Sequence, residues 1–102
     1  MNIKLKQHQH NLLTAELEEL ITDLGKSKDA DVQLLCCVLA ELHKKMYTKL
    51  YDVKPLYKTG LTPAQAVALN TACSRYLMDG IHPEHTQMLA GAMMLKIHPK
   101  LV

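Results

Sequence analysis

The sequence contains no tryptophan and no phenylalanine, and its only aromatic residues of that class are four tyrosines. Sheets favour aromatic and β-branched side chains, whereas the apolar part of this chain is mainly Leu, Ala, Met and Val, a balance that favours helix. Cysteine is also scarce. Three cysteines cannot pair completely, and adjacent Cys36 and Cys37 would diverge by about 100° on a helix, which argues against a disulfide framework. Long hydrophobic runs are missing too. The longest nearly uncharged apolar stretch, Met88 to Leu95, falls far short of the roughly 20 residues of a membrane-spanning helix. Met1 is followed by Lys4, Lys6, His8 and His10 with no apolar core between them, unlike a secretory signal. The expected compartment is the cytoplasm, with no membrane partner.

Charge of one sign is not in excess. The formal net charge is +2, which supplies no global attraction to nucleic acid or to an anionic membrane. Its distribution is uneven: Glu16, Glu18, Glu19, Asp23, Asp29 and Asp31 gather early, and Lys44, Lys45, Lys49, Lys54 and Lys58 gather mid-chain.

The 102 residues fit a single helical domain, residues 1–102, in which folding hides about two-thirds of the surface of the extended chain. From Leu13 to Leu24 the residues Leu13, Leu17, Leu20, Ile21 and Leu24 recur at three and four while acidic residues take the other face, the pattern of an amphipathic helix. Gly25 suits a left-handed residue that ends it. Ahead of it Ile3 and Leu5 alternate with Lys4 and Lys6, so residues 1–10 form either an extended or poorly ordered arm or an early start of the helix. Asp29 or Asp31 caps a second helix that carries Val32, Leu35, Leu39, Leu42 and Met46 through to about Leu50. Leu34, Val38 and the cysteine pair widen its stripe, which places its first half in the core and turns its lysine-rich second half outward.

Pro55 interrupts the pattern, and Tyr51 to Gly60 reads as the longest connection. Thr62, Pro63 and Gln65 then match a capped helix start, with a third helix running to about Met78. Asp79 and Gly80 end it, His82, Pro83 and Glu84 begin a fourth, and Pro99 stops that one. The expected fold is all-α, a small bundle of about four helices with a tight hairpin between the third and fourth.

Three groups of residues offer chemistry. His82 and His85 stand three apart on a first helical turn and are weak candidates for a shared metal, without a third ligand nominated by spacing. Lys44, Lys45, Lys49, Lys54 and Lys58 interleave with Tyr47 and Tyr51, as lysines for phosphates and rings for bases do in single-strand binders. Helix-dipole complementation and an end-cover by the tyrosines account for the same residues. Met88, Leu89, Ala92, Met93 and Met94 belong to a fourth helix apolar nearly all round, which suggests a self-association face. Cys73 falls on an apolar stripe with Leu69, Tyr76 and Leu77, where a thiol is an inert small hydrophobe. No phosphate-cradling glycine loop and no nucleophile elbow occur, so neither a catalytic residue nor a cofactor is expected. The functional expectation is a non-enzymatic interaction or regulatory module acting as a homo-oligomer. A nucleic-acid-binding accessory protein and a metal-dependent enzyme are the alternatives.

Overall fold

The computed structural model describes residues 1–101, in which four α-helices and a two-stranded antiparallel sheet share one core. The four helices agree with the expected bundle, and the sheet is an element that the all-α expectation lacked. Strand β1 (Asn2–Lys6) pairs with β2 (Leu56–Gly60), setting Ile3 against Thr59 and Leu5 against Tyr57. Both strands alternate buried and exposed residues, so Ile3, Leu5, Tyr57 and Thr59 face the core and Lys4, Lys6 and Lys58 face water. The ladder is prolonged by the Leu61 N–H donating to the Met1 carbonyl at 2.7 Å. The connection read between Tyr51 and Gly60 therefore contains a strand, and the N-terminal arm is its partner.

Helix α1 (Gln7–Leu24) begins directly after β1, with the Gln9 side-chain oxygen accepting from the Lys6 N–H at 3.1 Å. It buries His10, Leu13, Thr14, Leu17, Leu20 and Leu24. Gly25 keeps a right-handed φ of −63° rather than the left-handed turn expected of it, and the chain leaves through Lys26 and Ser27 N–H groups bonded to Asp23 and Leu24 carbonyls. Helix α2 (Ala30–Thr48) is capped by Asp29, whose carboxylate accepts from the Asp31 N–H at 2.8 Å, and it passes into a 3₁₀ turn, Lys49–Tyr51. Its burial reverses the expectation. The core residues Leu39, Leu42 and Met46 belong to the second half, while Val32, Leu35, Cys36 and Val38 are half-buried and Leu34 is exposed. An apolar stripe wider than the neighbouring helices can cover leaves its excess at the surface.

Helix α3 (Pro63–Ala72) starts with the anticipated capping box, Thr62 Oγ1 accepting from the Gln65 N–H and Gln65 Oε1 accepting from the Thr62 N–H, each at 3.1 Å. It continues as a π-helical turn, Cys73–Leu77, closed by the Met78 N–H on the Cys73 carbonyl at 3.1 Å. Gly80 then adopts a left-handed φ of +81°. Asp79 Oδ1 accepts from the Ile81 and His82 N–H groups, shaping the turn into helix α4 (Glu84–Leu101). Pro99 lies inside α4 instead of ending it. The bond it removes would reach the carbonyl of Leu95, a residue 79 % exposed, where water is available to that group. Among the described residues, no helix is long and apolar enough to cross a membrane.

Candidate functional site

The half-buried first half of α2 and the facing side of α3 enclose an open apolar groove of about 660 Å³. Val32, Leu34, Leu35 and Val38 form one wall, and Ala64, Val67, Ala68 and Thr71 form the other. Its width has a local cause. Helix α3 is short and presents alanines at Ala66, Ala68 and Ala72, side chains too small to cover the longer ones along the first half of α2. Leu34 is 66 % exposed and Val67 52 %. The groove's floor is thus made by the fold, and its upper side chains are not used by it.

Arg75 and Tyr76, carried by the π-helical turn, line both this groove and a smaller hollow of about 270 Å³. Arg75 is the chain's one arginine and has no ion-pair partner among the described residues. The hollow is acidic: Glu16, Glu19, Asp23 and Asp79 surround His82. Asp79 places both carboxylate oxygens 3.0 Å from His82 Nδ1, and Glu16 Oε2 stands 3.6 Å from His82 Nε2. The Thr86 hydroxyl donates to Glu16 Oε1 at 3.3 Å. Hydrogen bonds from the His82 ring and from the His82 and Ile81 N–H groups hold the Asp79 carboxyl down at about 2. The same Asp79 bond raises the His82 imidazole above its ordinary value; partial burial opposes this, and the charges of Asp79, Glu16 and Glu19 add to it. His82 is a clasp between α1 and the turn before α4.

His85 points to solvent and does not share that clasp. Among the described residues no three His, Cys, Asp or Glu side chains are placed to hold one metal ion. The thiol of buried Cys73 is pushed up to about 12 by burial, far from a thiolate at neutral pH.

The lysines named from sequence divide by task. Lys45 Nζ donates to the Gly60 carbonyl at 2.5 Å and to Gln65 Oε1 at 2.9 Å, and Lys49 Nζ donates to the Lys58 carbonyl and, at 3.3 Å, to Thr59 Oγ1. They fasten α2 to β2 and α3. Lys54 pairs with Asp52 at 3.2 Å in the open, while Lys44 and Lys58 extend into water. Tyr47 and Tyr51 meet edge to face with centroids 6.1 Å apart, and beside them Tyr51, Val53 and Leu56 are 82 %, 74 % and 50 % exposed.

Helix α4 turns out to be two-sided. Leu89 and Met93 are buried in the chain's own core, Ala92 and Met94 are half-buried, and Met88 and Leu95 face outward. Met93 is therefore a core residue, which corrects its assignment to a contact with another chain. The groove of α2 and α3 is not legible in the sequence, although its wall combines Leu35 of the main stripe with Leu34 and Val38, which widen it. No family model matches the chain, and neither a curated protein nor a solved structure is significantly similar to it.

Proposed function

We propose that the chain is a non-enzymatic, cytoplasmic protein-interaction module whose docking site is the groove between α2 and α3. The observation that carries this reading is the exposure of Leu34 and Val67 above an apolar floor, with Arg75 and Asp31 at the margin. Apolar side chains clustered in a concave surface and edged by a few polar groups are what a short apolar segment of another protein fits. The size of the groove lies within the range that binds ligand-sized bodies. Recognition of an extended or helical segment would come from side chains inserted between the two walls, with Arg75 and Asp31 fixing its direction.

The nucleic-acid alternative draws partly on lysines that fasten the fold, since Lys45 and Lys49 already donate to oxygens of β2 and α3. The groove makes no use of them. The reading is tested by fluorescence anisotropy with labelled peptides carrying two or three large apolar side chains. Binding should be lost in Val67→Lys and kept in Met88→Lys. Absence of binding by every peptide up to about 1 mM would remove the groove as a docking site.

A further inference from the structure

The groove occupies the first half of α2, and a run of exposed apolar side chains follows the opposite end of the same helix. Tyr51, Val53 and Leu56 stand out from a loop that also carries Asp52, Lys54 and Pro55. Leu34 and Tyr51 are separated by about 25 Å of helix at 1.5 Å per residue, and the helix runs unbroken between them. The loop cannot fold back into its own groove.

Each surface carries one charge of each sign, Asp31 and Arg75 at the groove and Asp52 and Lys54 on the loop. The groove is bordered by Asp31, with Glu19 and Asp23 in the hollow beyond Tyr76, and by Arg75, which lacks an ion-pair partner among the described residues. The loop carries Lys54, with Lys58 beyond it on β2, and its one acid, Asp52, is paired only with Lys54, at side-chain exposures of 71 % and 57 %. An exposed pair of that kind contributes little where it stands. Exchanged across an interface, Asp52 would meet Arg75 and Lys54 would meet Asp31. Pro55 limits the freedom the loop loses on docking.

We propose that the occupant of the groove is the Tyr51–Leu56 loop of a second copy of this chain. The proposal rests on the reading of the groove as a docking site and names its partner. The contact is heterologous: the loop of one copy enters the groove of the next, and the assembly ends as a reciprocal pair, a ring or an open chain according to the angle between copies.

The test uses the full chain and two double variants at exposed positions, Leu34→Lys with Val67→Lys in the groove and Tyr51→Glu with Val53→Glu in the loop. Circular dichroism checks that each retains its helical signal, and Leu34→Ser or Tyr51→Ser is the milder substitute where one does not. Static light scattering from about 10 µM to about 1 mM should show wild-type mass rising above that of one chain, less so at high salt. Each double variant alone should stay at one chain. Mixed in equal amounts they retain one intact groove and one intact loop, and the mass should double and stop there. A wild-type protein that stays single over that range, a double variant that associates as wild type does, or a mixture that stays at one chain overturns the proposal. Peptide binding in the groove under those outcomes would leave the docking site intact with a foreign occupant, whereas loss of both removes the site itself.

Discussion

The imidazole of His10 lies on the ring of Tyr57, with centroids 4.2 Å apart and planes 16° from parallel, inside the junction of α1, β2 and the end of α2. Its Nε2 stands 3.0 Å from the Met46 carbonyl, which can only accept, so the ring proton sits on Nε2 and Nδ1 is left without a partner. Burial lowers its tendency to protonate, the Met46 carbonyl opposes that, and the Lys49 charge reinforces it. Since its folded pKa lies below the unfolded 6.5, the unfolded chain takes up the proton first on acidification. Stability should fall as pH drops below about 6.5. His10→Gln, which can still donate to Met46, should flatten that acid limb in urea titrations across pH; an unchanged slope would contradict a buried neutral ring.

His82 acts in the other direction. Its folded pKa is raised, so the Asp79–His82 clasp contributes fully below pH 6.5 and is lost as pH rises through the higher folded value. Asp79, held at about 2 against an ordinary 3.8, keeps its contribution until pH falls through that range. His82→Gln should remove the alkaline decline while leaving the His10 limb in place, as read by thermal midpoints between about pH 5 and 8. Parallel curves for variant and wild type would show the clasp to be energetically idle.

Leu39 and Leu35 lie on one stripe four residues apart, yet Leu39 is fully buried and Leu35 lines the groove. Leu39→Ala should cost about 2–5 kcal/mol, and Leu35→Ala a smaller amount of about 1 kcal/mol. Equal costs from chemical denaturation would mean the groove wall is part of the core.

Met93→Lys should prevent folding or lower the denaturation midpoint severely, because it buries an unpaired charge at a fully enclosed position. Met88→Lys and Leu95→Lys, on the outward side of the same helix, should lie within about 0.5 kcal/mol of wild type. Circular dichroism melts separate the cases. A folded, stable Met93→Lys chain would place that residue at the surface.

Lys45→Glu with Lys49→Glu tests the fasteners rather than the surface. Both side chains donate to oxygens around β2, so their loss should speed amide exchange at Lys58 to Gly60 while α1 and α4 keep their protection. Unchanged exchange in the strand would show the lysines to be ornamental there.

Local signals in the sequence were readable where a few neighbouring residues decide the outcome. Thr62 and Gln65 announce the start of α3, and the three-four recurrence of Leu13, Leu17, Leu20 and Leu24 announces α1. The alternation of Ile3 and Leu5 was visible as well, but not its partner, because the pairing joins residues fifty or more positions apart and Pro55 dominates the local reading. Tyr57 and Thr59, two strand-favouring residues alternating before Gly60, were the signal available there. The first half of α2 misled for a different reason. Periodicity shows which side chains share a face but not whether a neighbour is broad enough to cover it, and the ten-residue, alanine-rich α3 is not.

The most direct measurement is a dilution series of amide ¹H–¹⁵N spectra of the wild-type chain from about 1 mM to about 20 µM. A loop seated in the groove of a neighbour requires two separate sets of amides, Leu34 to Val38 with Val67 to Tyr76 and Tyr51 to Leu56, to move together along one concentration curve. Amides of α4 around Met88 and Leu95 should stay still. Shifts confined to α4, or a spectrum independent of concentration, would contradict the docking of one copy in the next.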